Sequence, residues 1–436
     1  MELAAFLAPQ KLLLWGLGKE GLSSYRFLRR HFPQKPLAVA DARPEILRED
    51  PQLAADRHVS FLPQGEVPAR LAEFDLVLKA PGVPIAEFDL SGRTERISGQ
   101  ADLFLRFAPG RVVGVTGTKG KSTTSALLHH LLRPSQGAAL RLGGNFGIPL
   151  WDFIEELEPG SCTVAELSSY QLETVRHSPA IAVWLNLYEE HLNYHRTFAA
   201  YAAAKANLAR FLSADGHLVY WDGDPRLAEA MAGLPRRAQR HAFNGDSPFP
   251  FRQPARLPGR HNRLNALAAL TAARLVGIDE ATVQDSLDSF QSLPHRLEYL
   301  GEAEGVRYYN DSISTVPEAT LAALEALPET RTLIVGGMDR GISYDGLARE
   351  LASGSLRRLI LLPDTGKRIA ALLQKQGALG FDVREAKDLE EAVALARDGA
   401  GPGEVCLFSP AASSYHRYRN FEERGEAFRA LVRAKA

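Results

Sequence analysis

Lys121, Ser122 and Thr123 follow the glycine-rich turn Gly117, Thr118, Lys119, Gly120 within VVGVTGTKGKSTTSALLHHLL, residues 112–132. Glycines at 117 and 120 let the backbone turn tightly and aim N–H groups at phosphate oxygens, while the lysine amine reaches the β- and γ-phosphates and the serine hydroxyl suits Mg²⁺. The residue types point to ATP or GTP. The usual spacing would put a first glycine at Val115, whereas here glycines stand at 114, 117 and 120. Glu166, in AELSSYQLE, ends an apolar run at the place where open α/β sheets hold ligands, and a carboxylate there can face a metal opposite Ser122. The bland alternative is a solvated strand-end acid. Asn145 of GGNFG and His191 of NLYEEHLNYH add polar groups after strands of the same region, although a lone histidine more often caps a helix or faces solvent.

Lys205 lies in the alanine-rich helix FAAYAAAKANL, whose nearby positions carry no other charge. It reads either as a lysine snorkelling from the helix or as a depressed-pKa amine open to carbamylation, and the helix alone favours the first. GLGKEG at 16–21, followed by Asp41, fits a dinucleotide fingerprint, with a ligand-free strand-to-helix turn as the alternative. In the C-terminal half, Asn262 and Asn265 are three apart on one helix face, suited to an adenine edge or to a cap or interhelical bond, while Arg296 and Asp311 could reach phosphate and ribose.

Positioning these groups requires alternating strands and helices. KLLLW, a glycine turn, a helix and LAVAD form a βαβ unit; DLVLK breaks at APGVP, and the linker-like SGRTERISG follows. CTVAELS, IAVWLNL and GHLVYW then alternate with helical patterns, as do RYYNDS, TLIVGG, RLILLP and EVCLFS after SLPHRL. The expected fold is α/β with mostly parallel sheets in three domains, 1–97, 98–294 and 295–436. A chain of 436 residues with net charge −1 exceeds one core and carries no nucleic-acid or anionic-membrane footprint, so the expected partners are small molecules. Two cysteines without metal or redox spacing, and no apolar run near ~20 residues, suit the cytoplasm.

GLGKEGLS, APGVP, GTKGKST, GGNFGIPL, ELSSYQLE, EEHL, Tyr201 with Lys205, the HN-N pair, HRLE, NDS, GGMDRG and SPAASS with NFEERG together resemble the Mur ligase family over nearly the whole chain. ELSSYQLE beside NDS is the most specific combination and points to its glutamate-adding members. The resemblance implies a Rossmann-like N-terminal domain holding UDP through Lys19, Glu20, Asp41, Arg43, Ala80 and Gly82, a central P-loop ATPase, and a Rossmann-like C-terminal domain bringing the amino acid. It implies that the carboxylate of UDP-N-acetylmuramoyl-L-alanine takes the ATP γ-phosphoryl group and that the amine of glutamate, D expected over L, attacks the acyl phosphate.

On that resemblance ATP meets residues 117–123 with Asn262, Asn265, Arg296 and Asp311. One Mg²⁺ falls to Ser122 and Glu166 and a second to His191 and carbamylated Lys205, with Lys121 and Asn145 supporting the chemistry. Thr315, Arg340, Ser414 and Phe421 fall to the amino acid, and a monomer is expected. Four places depart from the family pattern. D-H-L-D becomes Glu190, His191, Leu192, Asn193; the lysine of N-D-S-K becomes Ile313; and Arg340 replaces the lysine of G-G-D-K-G, while Tyr415 to Tyr418 replace an L-D-Q-F run. The enantiomer is therefore open. Two rival readings are a nucleotide-dependent dehydrogenase, which leaves the second nucleotide loop without purpose, and a P-loop switch ATPase, which needs no carboxylate acceptor.

Overall fold

The computed structural model describes residues 2–90, 92–245, 251–253, 257–377 and 380–434. Ser91, the first residue of the linker-like SGRTERISG, lies outside them. The chain divides into two compact units, Met1–Pro250 with Leu264–Val283, and Phe251–Arg263 with Gln284–Ala436.

The first unit contains two sheets. Strands β1 (Leu12–Trp15), β2 (Leu37–Asp41), β3 (Val59–Pro63), β4 (Leu76–Lys79) and β5 (Ile97–Ser98) pair in the order β3-β2-β1-β4-β5, all parallel. Strands β6 (Arg111–Thr116), β7 (Leu140–Gly144), β8 (Cys162–Glu166), β9 (Ile181–Trp184), β10 (His217–Trp221) and β11 (Gln239–Phe243) form a second parallel sheet, ordered β11-β10-β9-β6-β8-β7. The central strands are buried at every residue, which is why LLLW, CTVAE and IAVW read as unbroken apolar runs rather than as alternation. Parallel neighbours need crossovers, and the helices Lys19–His31 and Lys121–Gln136 supply the first in each sheet. One core cluster links side chains below both sheets, among them Leu14, Phe27, Phe104, Trp151 and Trp184.

The second unit holds β12 (Glu298–Ala303), β13 (Val306–Asn310), β14 (Thr330–Gly337), β15 (Arg358–Asp364), β16 (Asp382–Glu385) and β17 (Val405–Phe408), ordered β12-β13-β17-β14-β15-β16. All neighbours are parallel except β12 and β13, joined through Glu304 and Gly305, both at positive φ, the two-residue turn that matches hairpin twist. Alternate residues feed opposite cores: Leu333, Val335, Leu359 and Leu407 on one face, Ile334, Ile360, Cys406 and Phe408 on the other. Cys162 and Cys406 are free and buried, and burial pushes their thiols up to about 11 and about 12. Among the described residues no helix is long and apolar enough to cross a membrane.

Candidate active site

The phosphate loop leaves the end of β6, which lies between β8 and β9 at the centre of its sheet. Gly120 takes φ 83°, and a Cβ there would sit 2.2 Å from Asn265 Oδ1, so both backbone conformation and space demand glycine. The helix starts at Lys121, which places Ser122 and Thr123 in a first turn whose free N–H groups and dipole favour anions. The Lys121 ammonium donates to the carbonyls of Gly117 and Thr118 at 3.0 and 2.9 Å. Asn186, just past β9, clamps the loop by accepting from Lys119 N at 2.9 Å and donating to Lys119 O at 3.1 Å. Thr118 shares a 2.8 Å hydrogen bond with the Tyr201 hydroxyl, and Lys119 pairs with Glu190.

Glu166 ends β8, is 0 % exposed, and accepts from Asn145 Nδ2 at 2.7 Å through Oε1. Its other oxygen, Oε2, is buried and accepts no hydrogen bond from any described group. Asn145 is itself fixed, since its N–H donates to Glu166 O at 2.8 Å. A buried carboxylate oxygen without a donor is costly unless a cation completes it. Among the described residues no three His, Cys, Asp or Glu side chains gather as a ready-made metal site, so a metal here needs hydroxyl, phosphate or water oxygens as well.

Lys205 is 1 % exposed, and its amine donates to Gly117 O at 2.8 Å and lies 3.4 Å from Thr116 Oγ1. Burial first, and the Lys121 charge second, hold its pKa well below the ordinary lysine value against the weaker pull of Glu190 and Glu166. The structure therefore buries the amine against the phosphate loop, where the helix pattern alone favours a snorkelling chain. His191 takes the left-handed conformation at φ 58°, with Tyr170 packed on its ring at 4.9 Å and Glu190 3.8 Å away. Burial and the lysines 121, 205 and 119 lower its pKa, Glu190 opposing, which favours the neutral ring that can donate a lone pair.

The GLGKEG turn is also built on close approach: a Cβ at Gly21 would lie 2.0 Å from Gly16 O, whereas Gly18 has nothing within 4 Å and leaves its side of the turn open. Asp41 accepts from Leu17 N at 2.7 Å and Arg43 N at 3.0 Å, so the acid orders the loop that the fingerprint assigns to a nucleotide. Ala80 packs on Gly16, and Lys19 donates to Gly147 O at 2.7 Å. Burial raises Glu20 to about 7 although the Gln171 amide donates to it. Gly82, in the APGVP turn, is open on its Cβ side. Gln171 also accepts from Ser168 N at 2.8 Å, and Lys79 pairs with Glu173 at 3.2 Å, so ELSSYQLE is held to the N-terminal turns.

In the second unit, Asp311 is buried, accepts from Leu297 N, Ser314 Oγ and Ser409 Oγ, and is raised to about 6 by burial. His295 and Leu297, both at positive φ, bracket Arg296, whose charge acts on Asp311. Arg340 donates to Thr315 O at 2.7 Å; Ser312 Oγ donates to Phe421 O at 2.8 Å; Ser414 is buried. Asn262, counted with this unit while Asn265 belongs to the first, donates to Pro258 O at 2.8 Å. Asn186 and Tyr201 lie within quoted motifs without having been given a role; Gln171 and Asn265 also stand in quoted motifs, but their contacts with Glu20 and Gly120 join positions far apart in the chain and leave no local signal.

A phosphate loop and an acid at neighbouring ends of a parallel sheet define a nucleotide-using α/β enzyme class. Residues 115–253 match the Mur ligase middle domain, and residues 295–412 the Mur ligase, glutamate ligase domain. The UDP-N-acetylmuramoylalanine--D-glutamate ligase of Symbiobacterium thermophilum is 38 % identical, covering 84 % of this chain and 85 % of its own. The UDP-N-acetylmuramoyl-L-alanine--L-glutamate ligase of Xanthomonas campestris pv. campestris is 36 % identical, covering 98 % and 96 %. The MurF ligase from Thermotoga maritima in complex with ADP shares the fold, with TM-score 0.59 at 18 % identity over 98 % of this chain and 95 % of its own. The chain belongs to the Mur ligase family.

Proposed function

We propose that this protein is an ATP-dependent ligase that joins glutamate to UDP-N-acetylmuramoyl-L-alanine in the cytoplasm. The observation that carries the reading is the buried Glu166 oxygen without a donor, at the strand end beside the phosphate loop. The family membership and the full-length glutamate ligases among its relatives name the substrates. Residues 1–97 would bind the UDP portion, 98–294 ATP, and 295–436 the amino acid. Lys19, Glu20, Asp41, Arg43, Ala80 and Gly82 surround the turn offered to UDP, and Thr315, Arg340, Ser414 and Phe421 serve glutamate.

The residues present fit Mg²⁺: Ser122 and Glu166 would hold one ion, and His191 with Lys205, as its carbamate, a second. When bound, magnesium neutralises phosphate charge that builds during transfer. The chain does the positioning. Residues 117–123 present N–H groups to the phosphates, Lys121 exchanges its loop carbonyls for phosphate oxygens, and Asn145 fixes the Glu166 plane. The substrate carboxylate oxygen attacks the γ-phosphorus and ADP leaves; the glutamate amine then attacks the acyl carbon, phosphate leaves, and the amine gives up a proton. The low pKa of Lys205 supports carbamylation, because only a neutral amine adds to CO₂.

D-Glutamate is the isomer expected from the sequence. L-Glutamate is a second reading, favoured by the L-glutamate ligase that spans 98 % of this chain and by Ile313, which removes a cation from the amino-acid site. One end-point assay offers UDP-N-acetylmuramoyl-L-alanine, ATP, Mg²⁺ and a panel of amino acids, with chiral analysis of the product. ADP release that depends on the acceptor and on glutamate is expected; release without acceptor, or incorporation of a diamino acid instead, would overturn the reading.

A further inference from the structure

The second unit has a pocket beyond the C-terminal ends of β14, β15 and β17, the edge where open parallel sheets take ligands. Gly337, Met338, Ser413, Ser414, Arg417 and Arg424 line it. Arg424, on the helix Phe421–Arg433, is 2 % exposed. Its Nε donates to Ser312 Oγ at 3.1 Å, Nη1 to Ala412 O at 2.9 Å and Nη2 to Ser312 O at 2.7 Å. These partners are neutral. Burial pulls its pKa down to about 10, and the only group opposing that is Tyr418.

Half-buried Arg397 donates to the carbonyls of Leu431 and Val432, while several partly or wholly buried arginines of this unit meet an acid: Arg429 pairs with Glu298, Arg358 with Asp382, Arg368 with Asp339. Among the described residues none pairs with Arg424. A buried charge held only by neutral acceptors is expensive, and a guanidinium has five N–H groups, of which three are used here. The two left over belong to Nη1 and Nη2. Space beside Nη1 is kept by Gly337, where a Cβ would come within 3.2 Å of that nitrogen. Asp364 at the rim is half exposed and engaged with His416 at 3.4 Å. Arg340 and Arg417 are exposed and donate to the carbonyls of Thr315 and Lys387.

We propose that Arg424 is a specificity-determining residue, receiving the side-chain carboxylate of the incoming amino acid in this pocket. The inference rests on the glutamate-ligase reading above and names the cation that this pocket offers to the amino acid. A fixed planar fork also demands a carboxylate over a carboxamide, since glutamine turns an N–H₂ group toward donors.

The test measures kcat/KM for glutamate and glutamine in acceptor-dependent ADP release, for the wild type, Arg424→Gln and Arg424→Lys. The wild type should prefer glutamate by ~10³-fold or more, because a site built for a polar group rejects the analogue that leaves it unpaired. Arg424→Gln should lose ~100-fold or more with glutamate, the cost of removing one partner of a buried charge pair, and bring the two substrates within ~10-fold of each other. The KM for ATP should stay unchanged in both variants. A merely structural arginine would lower both amino acids equally, so a preserved preference in Arg424→Gln overturns the proposal. Should that variant fail to fold, Arg424→Lys decides: a raised KM for glutamate alone supports it, and a wild-type KM overturns it. A wild type that incorporates no glutamate overturns the ligase reading itself, a separate result.

Discussion

Replacing Glu166 by glutamine should make the protein less active without making it less stable. The carboxylate is fully buried, one oxygen bonded to Asn145 at 2.7 Å and the other without a donor. Exchanging a charged acceptor for a neutral one weakens the Asn145 bond by about 1 kcal/mol, while removing a buried charge recovers about 1–3 kcal/mol net of the new amide N–H₂, which meets no acceptor. The balance is between zero and a gain of about 2 kcal/mol, which in a domain of 150–250 residues raises Tm by roughly 0–8 °C. Catalysis should respond in the opposite direction, because the amide removes the charge that would hold magnesium. Losing even an outer partner of a metal site costs about 10–100-fold in metal affinity, so the Mg²⁺ concentration for half-maximal activity should rise by at least that factor. Thermal melts in chelator, set beside Mg²⁺ titrations of acceptor-dependent ADP release, measure both quantities. A lowered Tm with unchanged Mg²⁺ dependence would refute the reasoning and make Glu166 a structural anchor for Asn145.

Lys205→Ala should abolish activity, and short-chain carboxylates should restore part of it by standing in for carbamate oxygens; full activity without additive would remove Lys205 from the chemistry. Asp311 is raised by burial from 3.8 to about 6, so the folded chain holds that proton more tightly than the unfolded one. Stability from this group is complete below about pH 4 and lost as pH rises through 6, by roughly 3 kcal/mol, and a Tm profile of Asp311→Asn should lack that decline. Gly21→Ala should cost roughly 3 kcal/mol or more, since its Cβ would meet Gly16 O at 2.0 Å; a wild-type denaturation midpoint would contradict the packing described.

The interior strands were legible because both faces are covered: LLLW, IAVW and VCLF have no polar position to interrupt them. Edge strands were not. β3, β11 and β16 are short and half exposed, with polar sequences such as QRHAF and DVRE that carry little apolar periodicity. Of the site, whatever is consecutive could be read, namely residues 117–123 and the acid ending β8. What depends on residues far apart could not: Asn265 against Gly120, Gln171 against Glu20, and the neutral cradle of Arg424. Lys205 is instructive, because its helix is mostly alanine and gives only a weak stripe to say which face is buried.

The two thiols offer a practical consequence. Cys162 and Cys406 are both enclosed in strands and held protonated, one in each compact unit. Maleimides and spin-label reagents require a reachable thiolate, so the natural chain should be nearly inert to them while folded. Single cysteines placed on the surface of each unit could then carry a donor and acceptor dye with no native residue deleted. Distance distributions between the two units could be followed through a turnover in the otherwise unmodified enzyme.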